Sequence, residues 1–500
     1  MGSDAPAETA TLTNFINNAA VAAGTAAETL AVVSPHDAQT IAWVPLSTEA
    51  EVDAAVAAAK AAFPAWSALT LKARAAYLLA LYNVLQAHRT ELATLIVREH
   101  GKTQTEAMGD VLKGLETLEY AVSAPVVARG SVEIVSGGVQ CQDERVALGV
   151  AAGIVPFNFP LMVPFWTIPI ALAMGNTYVL KPSEKVPLTM SRVAELAADV
   201  LPPGVLNIVH GDRRAAQALV RHKDVQALAF VGTSDVARAI HLEGSSLGKR
   251  VLALGGAKNH LVALPDCDIE MTAQDIVNSF TGCAGQRCMA ASVLLVVGDQ
   301  SALLDRVVEK AQALQPGADG AHAMGPVIDG AAIARIEEAI EHAVSVDGAQ
   351  LLLDGRASAA FGERRRDTSG FWIGPTVMVQ RAPSDAAMHF EIFGPVLSVL
   401  RCDTVDQALA IENANDYGNA ACVYTASGAA AEYCARRFQA AMVGVNIGVP
   451  VPREPFSFGG INRSRFGAGD ITGDAGVEFF SYRRKITTKW TTPKDASWMS

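Results

Sequence analysis

The stretch Ser279-Phe280-Thr281-Gly282-Cys283-Ala284-Gly285-Gln286-Arg287-Cys288-Met289-Ala290 places a thiol, Cys288, directly after a cation, Arg287, among small residues. A thiol attacks a carbonyl carbon as the thiolate, and a free cysteine (pKa about 8.5) is mostly protonated at neutral pH. A neighbouring guanidinium and backbone N–H groups lower the cost of ionisation, and the glycines admit a substrate close to the backbone. A buried structural cysteine at a helix–strand junction fits the same stretch equally well. The case for a nucleophile has to come from the rest of the chain.

Three other stretches carry chemistry. Asn158, in Val155-Pro156-Phe157-Asn158-Phe159-Pro160, follows an apolar strand-like run and is an amide donor suited to a developing oxyanion. Alone, it reads more simply as a turn asparagine beside proline. Lys181 and Glu184 end the next such run; they could bracket ribose hydroxyls or form an i, i+3 ion pair on a surface turn. Gly232-Thr233-Ser234 open a helix after a strand, where N–H groups suit a pyrophosphate. There is no G-x-G-x-x-G, so the ordinary dinucleotide fingerprint is absent.

These residues need a frame that gathers strand ends. Short apolar runs at Val150–Val155, Thr177–Lys181, Val205–Val209, Ala227–Val231 and Val251–Leu254 alternate with helical patterns, which predicts a doubly wound parallel sheet. Ligands bind such sheets at the carboxyl ends of the strands. A second α/β series fills about 270–450, with strands near Ala291–Val297, Val396–Leu400, Ala421–Thr425 and Gly444–Asn446. Ahead of the first series, helical spacing is expected over Thr48–Phe63 (Ser47 or Thr48 as N-cap), Lys72–His88, Thr90–His100 and Ala107–Ala124. Another helix is expected near Pro164–Met174. Pro125–Gly149 reads as a long hairpin leaving the body, Tyr482–Trp490 as one β-segment, and residues 1 to about 11 as disordered.

Bulk properties narrow the partners. Five hundred residues exceed one core, so two or three lobes are expected. A net charge of −11, spread through the chain, disfavours nucleic acid or an anionic membrane surface as partner. The longest apolar stretch, Leu161–Met174, is broken by Pro164 and Pro169 and is too short to span a membrane. Seven cysteines, scattered and odd in number, fit neither a disulfide framework nor a zinc site. The opening Met1-Gly2-Ser3-Asp4 has no basic region before an apolar core, so no secretory signal is expected and a cytoplasmic location is the default.

In order along the chain, PFNFP, NTYVLKPSE, FVGTS, LGGAKNH, AGQRC, EIFGPV and FSFGG resemble the aldehyde dehydrogenase superfamily over about residues 15–490. The resemblance implies an α/β fold with three parts. A Rossmann-like NAD-binding domain would span 12–124 and 147–253, and an α/β catalytic domain 254–470. A β-hairpin oligomerisation arm would span 125–146 and 480–492, in a homo-oligomer that is most simply a tetramer. It implies Cys288 as nucleophile, with Asn158 and the Cys288 N–H as oxyanion hole. Phe157, Lys181, Glu184, Gly232, Thr233, Ser234, Glu391 and Phe393 match the cofactor contacts, and Ala237 replaces the second glycine of the pyrophosphate pattern.

One departure matters more than the matches. Hydrolytic members carry a glutamate in E-L-G-G-K as general base for the deacylating water. Read with Ala257 as an added residue, this chain has Ala253 there, and alanine cannot take a proton from water. The A-K-N-H run, Arg287, Met289-Ala290 and Gly444–Pro452 resemble the methylmalonate-semialdehyde dehydrogenase branch, whose acyl-enzyme is resolved by coenzyme A. A thiol needs less base assistance than water. The branch loses carbon dioxide from its acid semialdehyde and forms acetyl-CoA or propionyl-CoA. It holds the substrate carboxylate with two arginines; here they are Arg287 and Lys113, and lysine lacks the bidentate fork. The expectation is therefore an NAD-dependent, coenzyme A-acylating semialdehyde dehydrogenase. A hydrolytic enzyme using another base such as Glu391, and a catalytically silent family member, are the alternatives.

Overall fold

The computed structural model describes residues 10–22 and 28–490. Val150–Ile154, Thr177–Lys181, Leu206–Ile208, Val225–Val231 and Arg250–Leu254 pair in parallel. Their runs of Val, Ala and Leu are apolar on both faces, as a parallel sheet covered by helices requires. Numbered along the chain, these five strands lie in the order 3-2-1-4-5. The order reverses between Val150–Ile154 and Val225–Val231, and such a switch point opens a crevice at the carboxyl ends. The PFNFP and FVGTS segments leave the sheet at those two ends. Antiparallel strands complete the sheet on both sides: Asn14–Ile16 and Ala19–Val21 at one edge, Arg465–Phe466 at the other. Residues from the end of the second α/β series thus return to the first sheet.

The second sheet runs Gln350–Leu353, Thr376–Val379, Val396–Cys402, Ala291–Val297, Asn259–Ala263, Ala420–Tyr424, Met442–Val445. It is parallel except at Gln350–Leu353. One of its inner strands, Asn259–Ala263, is not among those expected from the sequence because it opens on Asn259 and His260. Both are nonetheless buried, since Asn259 spends its amide on backbone carbonyls.

Helix ends follow side-chain chemistry. Glu49–Ser67 starts at a capping box of Thr48 and Glu51, while Ser47 hydrogen-bonds Asn14 instead. Gln104–Val122 begins three residues earlier than its apolar spacing predicts, because Thr103 and Glu106 form another capping box; such a cap contributes about 1 kcal/mol. The expected Pro164–Met174 helix is two short ones, Met162–Phe165 and Ile168–Ala173. A proline inside a helix removes a hydrogen bond and clashes with the preceding turn.

A three-stranded antiparallel sheet, Ser131–Ser136, Val139–Ala147 and Ser481–Lys489, joins the hairpin to the final strand. Val132 is 59% exposed, Ile134 81% and Val135 55%. The expected disorder reaches too far: Thr11 bridges Trp43, whose N–H donates to the Ala10 carbonyl, while residues 1–9 and the arm's residues 491–492 lie outside the described residues.

Candidate active site

Helix Ile269–Thr281 delivers the chain to a tight turn, Gly282–Gly285, in which Cys283, Ala284 and Gly285 all have positive φ. Gly285 has a steric reason: a β-carbon there would collide with the Gly394 carbonyl. The turn seats the segment carrying Cys288 against the Phe393–Pro395 loop. Two amides from elsewhere fix the next residues. Asn259 Nδ2 donates to the Cys288 carbonyl at 2.7 Å and to that of Ala290 at 3.0 Å, and Asn419 Nδ2 donates to the Cys288 carbonyl at 2.9 Å. Asn259 stood in the A-K-N-H run but carried no signal of this role. Asn419 carried none at all.

Cys288 faces a cavity of about 380 Å³ at the crevice of the first sheet. Phe157, Asn158, Gly232, Thr233, Ser234, Glu391 and Phe393 line the same cavity, so eight of the twelve candidate residues converge. Asn158 is held from both ends. Its carbonyl accepts from Lys102 Nζ at 2.9 Å, and its Nδ2 donates to the Gln286 carbonyl at 3.1 Å, leaving the second amide N–H. Lys102 is itself fixed by a fully buried pair with Asp110 at 3.0 Å. Helix Ser234–Ser246 points its first turn at the cavity, and Thr233 makes no side-chain cap, so the leading N–H groups are left for a ligand. Ser234's hydroxyl is engaged: it donates to the Arg463 carbonyl and accepts the Gly256 N–H. Ala237 is fully buried in the core beneath this helix, so its methyl does not narrow the cavity.

The other four candidates do not line this cavity. Lys181 pairs with Glu184 at 3.0 Å, and the nearby Lys185 pairs with Asp329 at 2.5 Å. Lys113 binds Glu116 at 2.8 Å and Glu454 at 3.2 Å, with Glu454 also accepting from Thr117. Arg287 turns back to donate to the carbonyls of Asn278 and Ser279, in the last turn of the preceding helix. Cations suit that end of a helix. Its effect on the thiol is correspondingly small: burial, then the charge of Glu391, push Cys288 up to about 12 against the pull of Arg287. The expected depression by Arg287 is overturned by desolvation, which disfavours the charged form. Burial likewise pushes Glu391 up to about 7 and brings Lys258 down to about 7.

The structure also corrects the position assigned to the missing base. Side chains alternate along a strand. Val251 and Ala253 enter the core on one face of the first sheet, while Leu252 and Leu254 enter the core on the other, the one against which Cys288 packs. The residue facing the thiol's side is therefore Leu254. Counting back four residues from Lys258, as E-L-G-G-K places its glutamate, also reaches Leu254 without an added residue. Neither position carries an ionisable group.

A dinucleotide fits what is present. Gly255 and Gly256 have no room for β-carbons, which would strike the Arg463 carbonyl and the Glu391 carboxylate, so backbone lines the cavity there. Arg335 and Arg463 add positive charge, and Phe157 and Phe393 meet edge to face at 6.0 Å. Among the described residues no group of three or more His, Cys, Asp or Glu could hold a metal ion, and no helix is long and apolar enough to cross a membrane.

The sequence and fold match known proteins over nearly their whole length. Malonate-semialdehyde dehydrogenase 2 of Geobacillus thermodenitrificans is 40% identical over 487 residues, covering 96% of this chain and 99% of its own length. Malonate-semialdehyde dehydrogenase 3 of Geobacillus kaustophilus is 41% identical, covering 97% and 99%. The crystal structure of methylmalonate-semialdehyde dehydrogenase from Oceanimonas doudoroffii superposes with a TM-score of 0.93 at 36% identity, covering 97% of this chain and 99% of that one. A crystal structure complexed with NAD, described as a methylmalonate-semialdehyde dehydrogenase of Sinorhizobium meliloti, gives 0.94 at 36% identity, covering 98% and 99%. The aldehyde dehydrogenase family pattern matches residues 22–486. The chain belongs to the aldehyde dehydrogenase family.

Proposed function

We propose that this chain oxidises a short acid semialdehyde, of the malonate or methylmalonate type, with NAD, and transfers the acyl group to coenzyme A. The observation that carries the acylating part is Leu254, an apolar side chain on the Cys288 side of the sheet where hydrolytic relatives need a carboxylate. The cavity supports the rest. Cys288 thiolate adds to the aldehyde carbon, and the oxygen that becomes negative lies between the Asn158 amide and the Cys288 N–H. NAD, when bound, supplies the hydride acceptor. The first-turn N–H groups of helix Ser234–Ser246 suit its pyrophosphate, and Glu391 and Phe393 suit its nicotinamide end. The acyl group, now a thioester on Cys288, is released to a thiol. The test is NADH formation across C3–C5 semialdehydes with and without coenzyme A, with acyl-CoA as the expected product.

A second reading, hydrolysis to the free acid, is favoured by one observation: Glu391 lines the cavity and is held near 7, the range of a general base. Coenzyme A dependence separates the two. The substrate carboxylate would have to meet Lys113 in competition with Glu454, and Arg287 only after leaving the helix carbonyls.

NAD should be preferred to NADP by at least tenfold in kcat/KM. Glu184 would repel a 2′-phosphate, and Lys185, the cation that could offset it, is tied to Asp329. Equal kcat/KM for the two cofactors would remove Glu184 from the ribose site. The NAD-binding domain would comprise 12–124 and 147–253 together with Arg465–Phe466, which pairs with its last strand, the catalytic domain the rest of 254–470, and the arm 125–146 and 480–492.

The apolar edge of the Ser131–Ser136 strand needs a partner, which supports a homo-oligomer built through the arm, a tetramer in the simplest case. Light scattering at micromolar concentration should report a multiple of 52.4 kDa; a monomeric mass refutes the assembly. A cytoplasmic location is kept on the strength of seven cysteines that the fold leaves as free thiols.

A further inference from the structure

Cys288 must lose a proton before it attacks, and neither Ala253 nor Leu254 can accept one. Glu391 lines the same cavity as Cys288. Its Oε1 accepts the Ala257 N–H at 3.0 Å, and its Oε2 lies against Gly256, where a side chain would collide with it. Beside this carboxylate, Lys258 is 1% exposed, and its Nζ has no hydrogen-bond partner among the described residues. A buried ammonium without a partner is costly, so its charge depends on the nearest carboxylate. Glu391 is the group whose charge favours the Lys258 ammonium. Arg335 and Tyr417 also face Glu391, His260 faces Lys258, and Arg287 is the cation felt by Cys288.

We propose that Glu391 takes the proton that Cys288 releases, and that Lys258, a positioning residue acting through Glu391, sets the pH at which it can do so. The S–H bond breaks as an O–H bond forms on the Glu391 carboxylate, and the freed sulfur lone pair attacks the carbonyl carbon. No further reactant is needed. Burial balances Glu391 between its two forms near neutrality, while burial and the Glu391 charge hold the thiol up to about 12. Once Glu391 is protonated its repulsion of the thiolate disappears, so the two sites exchange one proton rather than titrating separately.

The exchange has a signature independent of turnover. Thiolate with carboxylic acid carries as many protons as thiol with carboxylate, so above the Glu391 pKa its population does not depend on pH. In the free enzyme, alkylation of Cys288 by iodoacetamide, followed on its own peptide by mass spectrometry, should rise to about pH 7. It should then level off, and climb again only where the thiol ionises directly beside the charged carboxylate, the level region being as wide as the rise that the Glu391 charge imposes on the thiol. Glu391→Gln keeps the shape and the Ala257 contact, and should replace the level region with a rate climbing about tenfold per pH unit toward the thiol pKa. Lys258→Met should move the inflection upward, because the cation's pull on the carboxylate is gone, and Lys258→Arg should bring it back. A level region that survives Glu391→Gln overturns the proposal, as does an inflection that neither Lys258 variant moves. The inference rests on Cys288 being the nucleophile. The alkylation uses no aldehyde, NAD or coenzyme A, so failure of that reading, seen as turnover by Cys288→Ser, is distinguishable from failure of this one.

Discussion

Cys288→Ser is expected to lower aldehyde-dependent NADH formation by at least about 10⁴-fold, the scale of losing a covalent nucleophile, while NAD binding persists. The argument is positional before it is chemical. Cys288 faces the cavity with Asn158 and Glu391, and its carbonyl is clamped by Asn259 and Asn419, so the sulfur's direction is set by amides 29 and 131 residues away. Cys283, the rival in the same stretch, does not share these features. It is 3% exposed and absent from the cavity lining, burial pushes its thiol up to about 11, and its N–H is bound to Glu106 at 2.6 Å. Cys283→Ser should therefore leave NADH formation largely intact. Turnover surviving in Cys288→Ser but lost in Cys283→Ser would exchange their roles.

The second large effect concerns the fate of the thioester. With Leu254 on the Cys288 side of the sheet, water has no base at the usual position, and general-base help contributes about 10²–10⁴ in rate. NADH should appear as a burst near one equivalent per active site, followed by a slow phase that coenzyme A accelerates by a comparable factor. Leu254→Glu should shift product from acyl-CoA toward the free acid. Ala253→Glu should not; it places the carboxylate in the opposite core, at a cost of about 3–5 kcal/mol for an uncompensated buried charge, and should appear as a lowered unfolding temperature. A steady state equally fast with and without coenzyme A, yielding free acid in both, would establish the hydrolytic reading.

Much of the fold was legible in the residues, as were the eight candidate residues that line the cavity. The parallel sheet could be read because its strands are apolar on both faces and regularly spaced. PFNFP and FVGTS could be placed at ligand-binding strand ends because that location follows from topology alone. The helix start at Thr48 follows from local hydrogen bonding, whereas the capping box at Thr103 and Glu106 lies ahead of the apolar spacing and is missed by it. What the tertiary structure decided is which way individual side chains face and what satisfies them. Alternation along Arg250–Leu254 is a local property, but which parity faces Cys288 depends on long-range packing, and it moved the missing base from Ala253 to Leu254. Arg287 sits beside Cys288 in sequence, yet its fork finds helix carbonyls eight and nine residues back. Lys113 is neutralised by Glu454, 341 residues away. Lys258 gave no sign of its isolation, because a lysine's charge is ordinarily satisfied by water, and only the assembled core removes the water.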